Sequence, residues 1–276
     1  MMFGKNEIVG QKYFDKAGDK LYVTSIFYTL QGEGPYRGEP AVFLRLAKCN
    51  LACSFCDTYF DGGDWLTPEQ VHERIQNVMK YYFDGEIPSW GTSKIGLVVT
   101  GGEPMLQKNL TLFLETCAHK FAFVQIESNG TIVQDIPDYV TLVVSPKCLE
   151  KDGKPVKYLQ PNPKMIARAD CMKFVMNADP DSPYSSIPDW AEQARQVFIS
   201  PMNIYNREPQ KSKQIRSTKN DISLEERSAV DEVISFWEEG LLDMKENQKN
   251  HEYAAKYCAR NGHILNLQIH LYASLA

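Results

Sequence analysis

The sequence predicts an α/β protein over residues 1–276: one parallel sheet with crossover helices, arranged as an open or closed β/α barrel. Three observations predict it. Short apolar runs alternate with amphipathic helical segments, the order that builds βαβ units. Runs such as IGLVVT (95–100) are continuously apolar, as strands covered on both faces are. The chain has 276 residues, 43% hydrophobic and 24% charged, an ordinary globular composition long enough to bury one large core.

The elements follow in order. Residues 1–20 are polar and are expected to form a loose arm. LYVTSIFYTL (21–30) and AVFLRLA (41–47) read as strands joined by the glycine-rich turn QGEGPYRGEP. Thr67, Pro68 and Gln70 form a helix-start signature, and Val71, Ile75, Val78 and Tyr82 give that helix its stripe. Strands are expected at 95–100, 121–127, 141–145, 171–176 and 196–200, with a helix at about 107–119. Ser223 and Glu226 open a further helix carrying Val230, Ile234 and Trp237, and another runs to Gly262. HILNLQIHL (263–271) reads as a closing strand. The polar stretch 202–222 is expected to be a surface loop, within a probable insertion at about 203–262 of a single domain.

The formal charge of −5 argues against a general polyanion-binding surface, so no nucleic-acid partner is expected. No run of eighteen apolar residues and no N-terminal apolar segment is seen, so neither a membrane span nor a signal peptide is expected. Seven cysteines without a secretion signal indicate a reducing cytoplasm. Three of them crowd into CNLACSFCDT (49–58), at Cys49, Cys53 and Cys56. One face of a helix could carry that spacing, but the segment follows a strand and ends in DGGD, which is loop context. A structural zinc would want a fourth ligand. A [4Fe–4S] cluster on three thiolates keeps one iron open to a ligand. Cys117, Cys148, Cys171 and Cys258 lack ligand spacing and are expected to be structural.

The Cys-x-x-x-Cys-x-x-Cys pattern after an early strand resembles the signature of radical S-adenosylmethionine (SAM) enzymes, and VTGGEP (99–104) resembles the motif that holds the SAM amino group there. Further segments resemble the 7-carboxy-7-deazaguanine synthase family, in its order: 25–58, TGGEP (100–104), IESNGT (126–131), VVSPK (143–147), VFISPM (197–202) and LNLQIH (265–270). Lys48 stands where that family usually has glycine, and Ser200 where glutamine is common. The resemblance implies an incomplete, TIM-like β/α barrel of the radical SAM type. It also implies a lyase that contracts 6-carboxy-5,6,7,8-tetrahydropterin to 7-carboxy-7-deazaguanine with loss of ammonia. Its cofactors would be a [4Fe–4S] cluster, SAM and Mg²⁺, with a flavodoxin- or ferredoxin-type reductant and a homodimeric assembly.

Carried over residue by residue, Cys49, Cys53 and Cys56 would hold the cluster and Thr58 the magnesium, a hard ion suited to a hydroxyl oxygen. Leu30, Gln31, Gly32, Glu33, Thr100, His270 and the carboxylate of Ala276 would contact the substrate. Arg45, a charge inside an apolar strand, would clamp the substrate carboxylate, an internal salt bridge being the alternative. Phe55, Asp57, Gly102, Glu103, Glu127, Asn129, Ser145, Lys147, Ser200, Pro201, Met202 and Asn203 would surround SAM, with Glu103 offering its carboxylate to an ammonium group. Two rivals share the cysteines: a radical SAM activase acting on a partner protein, and a non-catalytic zinc or iron–sulfur interaction module.

Overall fold

A computed structural model describes residues 6–117, 120–207 and 236–273. One nine-stranded sheet carries the fold. Its strands, in chain order, are β1 (Leu21–Leu30), β2 (Pro40–Leu46), β3 (Asp64–Leu66), β4 (Gly96–Gly101), β5 (Phe123–Ser128), β6 (Thr141–Val144), β9 (Cys171–Met176), β10 (Val197–Pro201) and β11 (Ile264–Leu265). A separate hairpin, β7 (Cys148–Lys151) and β8 (Lys154–Tyr158), lies between β6 and β9 in the chain. The spatial order is β11-β10-β9-β6-β5-β4-β2-β1-β3. The first and last strands in that order are not neighbours, so the barrel is incomplete, as expected.

From β2 through β4, β5, β6, β9 and β10 to β11, every pairing is parallel. The exception is the β1 edge: β1 runs antiparallel to both β2 and β3. A nine-residue turn is too short for the crossover a parallel pair needs, so strands joined by it must run in opposite directions.

Residues alternate between the two faces of each strand. Leu44, Leu97, Val99, Val124, Ile126, Leu142, Val144, Met172 and Phe174 belong to the main core on one face. That core also takes Val71, Ile75 and Met79 of α1 (Pro68–Tyr82) and Phe113 and Leu114 of α2 (Leu110–Cys117). The other face carries Arg45, Thr100, Glu127, Lys173 and Ser200, which line a cavity. A charge in an otherwise apolar strand therefore marks the cavity side.

Local chemistry explains the helix ends. Thr67 and Gln70 form the reciprocal capping box at the start of α1, at 3.3 and 3.0 Å; losing such a cap costs about 1 kcal/mol. Asn162 caps α3 (Pro163–Arg168), and Asp243 caps α4 (Met244–Asn261), which ends on Gly262 in the left-handed conformation at φ 72°. Tyr82, expected on the apolar stripe of α1, is 53% exposed, and Met79 takes the buried place.

Three expectations are corrected. Residues 6–20 are not loose: Asn6 and Phe14 are buried, and Gln11–Phe14 form a 3-10 turn. The segment 263–271 is mostly not a strand: after the two residues of β11 come three irregular residues and then α5 (Ile269–Ala273), with Gln268 just before the helix bonded to Asn203 and His270 within it packed on Gly32. Trp237 lies in a turn and is 68% exposed, donating its indole N–H to the Tyr272 carbonyl. The rest of the helix expected from Ser223, with Glu226, Val230 and Ile234, lies outside the described residues, as do residues 208–222 and Ala276.

Candidate active site

The cavity measures about 840 Å3, within the range of small-molecule sites. Cys49, Cys53, Cys56 and Thr58 line it together with Leu30, Gln31, Glu33, Arg45, Thr100 and His270. Phe55, Asp57, Gly102, Glu127, Asn129, Ser145, Lys147 and the segment Ser200–Asn203 complete the wall. Residues from opposite ends of the chain, expected to act together, are thus brought to one place.

The cysteine loop follows β2 and is braced from several sides. The amide of Leu51 donates to Cys49 Sγ at 3.4 Å, and Cys56 N–H donates to the Cys53 carbonyl at 3.1 Å. Asn6 spans the loop's exit: its Nδ2 donates to the Thr58 carbonyl and its Oδ1 accepts from Phe60 N–H, both at 3.0 Å. Val9 N–H donates to the Cys49 carbonyl at 2.9 Å. Lys48 takes a left-handed φ of 74°, which explains why glycine suits this position. Its ammonium is held by Glu7 at 2.7 Å and Asp61 at 2.5 Å, and lies 5.3 Å from the Tyr13 ring centroid.

Burial pushes the Cys49 and Cys56 thiols up to about 12, and that of Cys53 up as well, with neighbouring Lys147 opposing the shift at Cys53. None of the three is in a disulfide. Enclosed thiols of this kind become thiolates when a metal centre compensates the charge. A single zinc would need a fourth ligand beside these three sulfurs. A cube of four irons would take the three sulfurs on separate corners, and all three cysteines open onto one cavity. Thr58 Oγ1 lies 3.1 Å from Asp57 Oδ1, so hard oxygen donors for magnesium stand next to the last cysteine.

The Gly-Gly-Glu turn at the end of β4 lines the cavity with Gly101 and Gly102 and also packs on the chain entering the cysteine loop. A Cβ on Gly101 would come within 2.0 Å of the Leu46 carbonyl oxygen, and one on Gly102 within 2.0 Å of that of Lys48. These glycines let the turn pack on the backbone entering Cys49, and Glu103 N–H donates to Lys48 O at 2.9 Å. Glu103 is corrected: its side chain is fully buried and does not line the cavity. Its carboxylate accepts from Met105 N–H and Ser128 Oγ, both at 2.9 Å, and from Asn129 N–H at 2.6 Å. It therefore fixes Ser128 and Asn129 at the end of β5. Burial raises its pKa, against those hydrogen bonds.

Also in the cavity wall, Lys173 of β9 joins two carboxylates: its Nζ lies 2.7 Å from Glu33 Oε2 and 2.5 Å from Glu127 Oε2. Burial alone would favour its neutral form, but Glu127 and Glu33 outweigh it and raise the pKa. Glu33 also accepts from Ser200 Oγ and Asn266 Nδ2, each at 3.3 Å. Asn266 Oδ1 in turn accepts from Gly34 N–H at 2.8 Å. Arg45 lines the cavity with its guanidinium 5.0 Å from the Phe27 ring centroid. A Cβ on Gly32 would come within 2.0 Å of the His270 ring, so the bare glycine makes room for that side chain. Burial lowers the His270 pKa, keeping it neutral.

Lys147 donates to the carbonyl of Ser145 at 2.7 Å and to its hydroxyl at 2.6 Å. Burial lowers its pKa, with Cys53 opposing. The segment after β10 is fixed by α4: Asn250 donates to Met202 O at 2.8 Å, Asn247 accepts from Ile204 N–H at 2.6 Å, and His251 bonds Asn203 at 3.2 Å. Gln268 accepts from Asn203 Nδ2 at 2.6 Å.

Lys173 in the cavity wall, Asn266 bonded to Glu33 and Asn6 bonded to the Thr58 carbonyl are residues the sequence did not single out. Lys173 carried a usable signal, since it interrupts an apolar strand as Arg45 does. The asparagines carried none. Cys148, Cys171 and Cys258 sit in apolar clusters, as expected of structural cysteines; the Cys117 side chain lies outside the described set.

The family model described as the radical SAM superfamily matches residues 45–144. A 7-carboxy-7-deazaguanine synthase from Rhodospirillum rubrum is 34% identical over 209 residues, covering 74% of this chain and 79% of its own length. One from Rickettsia prowazekii is 33% identical over 81% of this chain and 87% of its own length. Among solved structures, QueE from Escherichia coli matches with a TM-score of 0.53 at 20% identity, over 95% of this chain and 99% of that one, which supports the fold. The chain belongs to the 7-carboxy-7-deazaguanine synthase family of the radical SAM superfamily.

Proposed function

We propose that the chain is a radical SAM lyase that converts 6-carboxy-5,6,7,8-tetrahydropterin to 7-carboxy-7-deazaguanine with loss of ammonia. The observation that carries this reading is that the three cysteines and Arg45 open onto one cavity with the Glu33–Lys173–Glu127 group. In this reading Cys49, Cys53 and Cys56 hold the cluster, Thr58 holds Mg²⁺, and Lys147, Ser145 and Ser200–Asn203 lie against SAM. Bound there, cluster and SAM supply one-electron chemistry that abstracts a hydrogen atom.

The rest is positioning. Arg45 clamps the substrate carboxylate with a planar, permanently charged fork. Gln31 and the Leu30–Gly32 backbone address the edge of the pterin, and Glu33 accepts from its N–H donors. Lys173 holds the Glu33 and Glu127 carboxylates in place as acceptors. Neutral His270 packs on Gly32 and closes this end against water. The free thiols suit a reducing cytoplasm, and no described helix is long and apolar enough to cross a membrane. A homodimer is the assembly the family resemblance implies, checked by sedimentation.

The test uses anaerobically reconstituted protein with SAM, dithionite, Mg²⁺ and the carboxy-tetrahydropterin, followed by mass spectrometry. Formation of the deazaguanine acid is expected. Formation of 5′-deoxyadenosine without that acid would overturn the substrate, and one zinc per chain in place of about four irons would overturn the cluster.

A further inference from the structure

The loop between Cys53 and Cys56 has a neighbour outside the cavity. Ser54 donates from its backbone N–H and its hydroxyl to Glu150 Oε1, at 2.8 and 3.1 Å. Glu150 belongs to the β7–β8 hairpin, which begins directly after Lys147. The hairpin is thus tied to the cysteine loop itself.

Beyond Glu150 it projects into solvent. Lys151, Lys154 and Lys157 are exposed, and Lys151 faces Lys154 in register. Like charges directly opposite each other destabilise a strand pair. Among the described residues no carboxylate pairs with any of the three lysines. The hairpin also exposes Leu149 at 45% and Val156 at 52%. Exposed Asp152 at the turn and Glu150, tied to Ser54, offset part of that charge, so the hairpin keeps a basic excess beside its apolar residues on a chain of net charge −5.

We propose that the β7–β8 hairpin is the docking surface for an acidic electron-carrier protein bearing a flavin or an iron–sulfur centre. The proposal rests on reading the three cysteines as cluster ligands. One electron passes: the carrier's centre is oxidised by one electron, the cluster is reduced by one, and no bond or proton changes hands. Charge complementarity selects the carrier and speeds its encounter. The hydrogen bonds from Ser54 to Glu150 seat the docked carrier beside the cysteine loop.

The test compares wild type, Lys154→Glu and the triple variant K151E/K154E/K157E. Lys154→Glu puts a carboxylate opposite Lys151, so it favours the hairpin while removing basic charge. The first readout is the Kd for a purified acidic flavodoxin, with no turnover. Wild-type binding should weaken as salt rises, and the triple variant should bind about tenfold or more weakly at low salt, with Lys154→Glu between them. The second readout is turnover driven by reduced flavodoxin against turnover driven by dithionite. The first should fall in the variants and the second should not. Unchanged flavodoxin binding in the triple variant, or an equal fall with both reductants, would overturn the proposal, as would retention of a DNA duplex and not of flavodoxin. Failure of dithionite-driven chemistry in wild type would count against the cluster reading instead.

Discussion

Lys173 and Lys147 both line one cavity, and the protein treats them in opposite ways. Lys173 is clasped by Glu33 and Glu127, so its charge is cancelled on the spot and its pKa rises. Lys147 donates to the two oxygens of Ser145 and makes no ion pair among the described residues, so burial outweighs the more distant Cys53, Glu127 and Glu33 and its pKa falls. The difference separates two kinds of wall. Around Lys173 the electrostatics are complete before any ligand arrives. Around Lys147 and the cysteines, burial disfavours every charged form, and that end is finished only by what binds there. One pole is preformed; the other is poised.

The largest effect expected from breaking this contrast is at the preformed pole. Lys173→Met leaves two buried carboxylates without their cation and should cost about 3–5 kcal/mol in denaturant unfolding of the cluster-free protein. Adding Glu33→Gln and Glu127→Gln should recover most of that loss; if it does not, the ion group is not the cause. Arg45→Lys keeps the charge but loses the fork, and should weaken the kcat/KM for the carboxy-pterin by about 1.5–3 kcal/mol, mainly through KM. An analogue lacking the carboxylate should respond little to that substitution. Asn6→Ala strips partners from the Thr58 carbonyl and the Phe60 amide, at about 1–3 kcal/mol. Its sharper readout is faster iron loss to a chelator than wild type shows.

Lys147→Met should change cluster-free stability least, within about 1 kcal/mol, while weakening SAM binding in a calorimetric titration. The pH dependence gives the sign. A lysine whose folded pKa is lowered makes the unfolded state bind more protons, so its burden on stability lifts as pH climbs from the lowered value toward the ordinary 10.5. Lys173, with a raised pKa, contributes stability that is in full below 10.5 and is lost only as pH passes its folded value. The stability gap between wild type and Lys147→Met should therefore narrow in alkaline buffer, and that between wild type and Lys173→Met should not narrow below 10.5.

The legible parts of this molecule were those fixed by short-range pattern. Apolar runs located β1, β2, β4, β5, β6, β9 and β10 to within a few residues, and Thr67 with Gln70 marked the start of α1. The cysteine spacing and Gly-Gly-Glu turn located the site. What escaped depends on the far side of a contact. The β7–β8 hairpin is lysine-rich and exposed, so it has no apolar alternation to betray it. The segment after β11 reads as strand by composition, yet His270 packs on Gly32 and the chain turns helical. Glu103 looked like a ligand because a carboxylate in a glycine turn invites a cation; besides Met105 nearby, its partners are Ser128 and Asn129, twenty-five residues away or more. The polar arm at 6–20 concealed Asn6, whose role exists only beside Thr58 and Phe60.

The pairing of Gly34 and Glu33 with Asn266 joins positions at opposite ends of the chain. A ribosome would expose the cysteine loop, Lys147 and Lys173 well before it delivered that asparagine. The wall around Glu33 is therefore finished only when the segment after β11 has come down on the turn between β1 and β2.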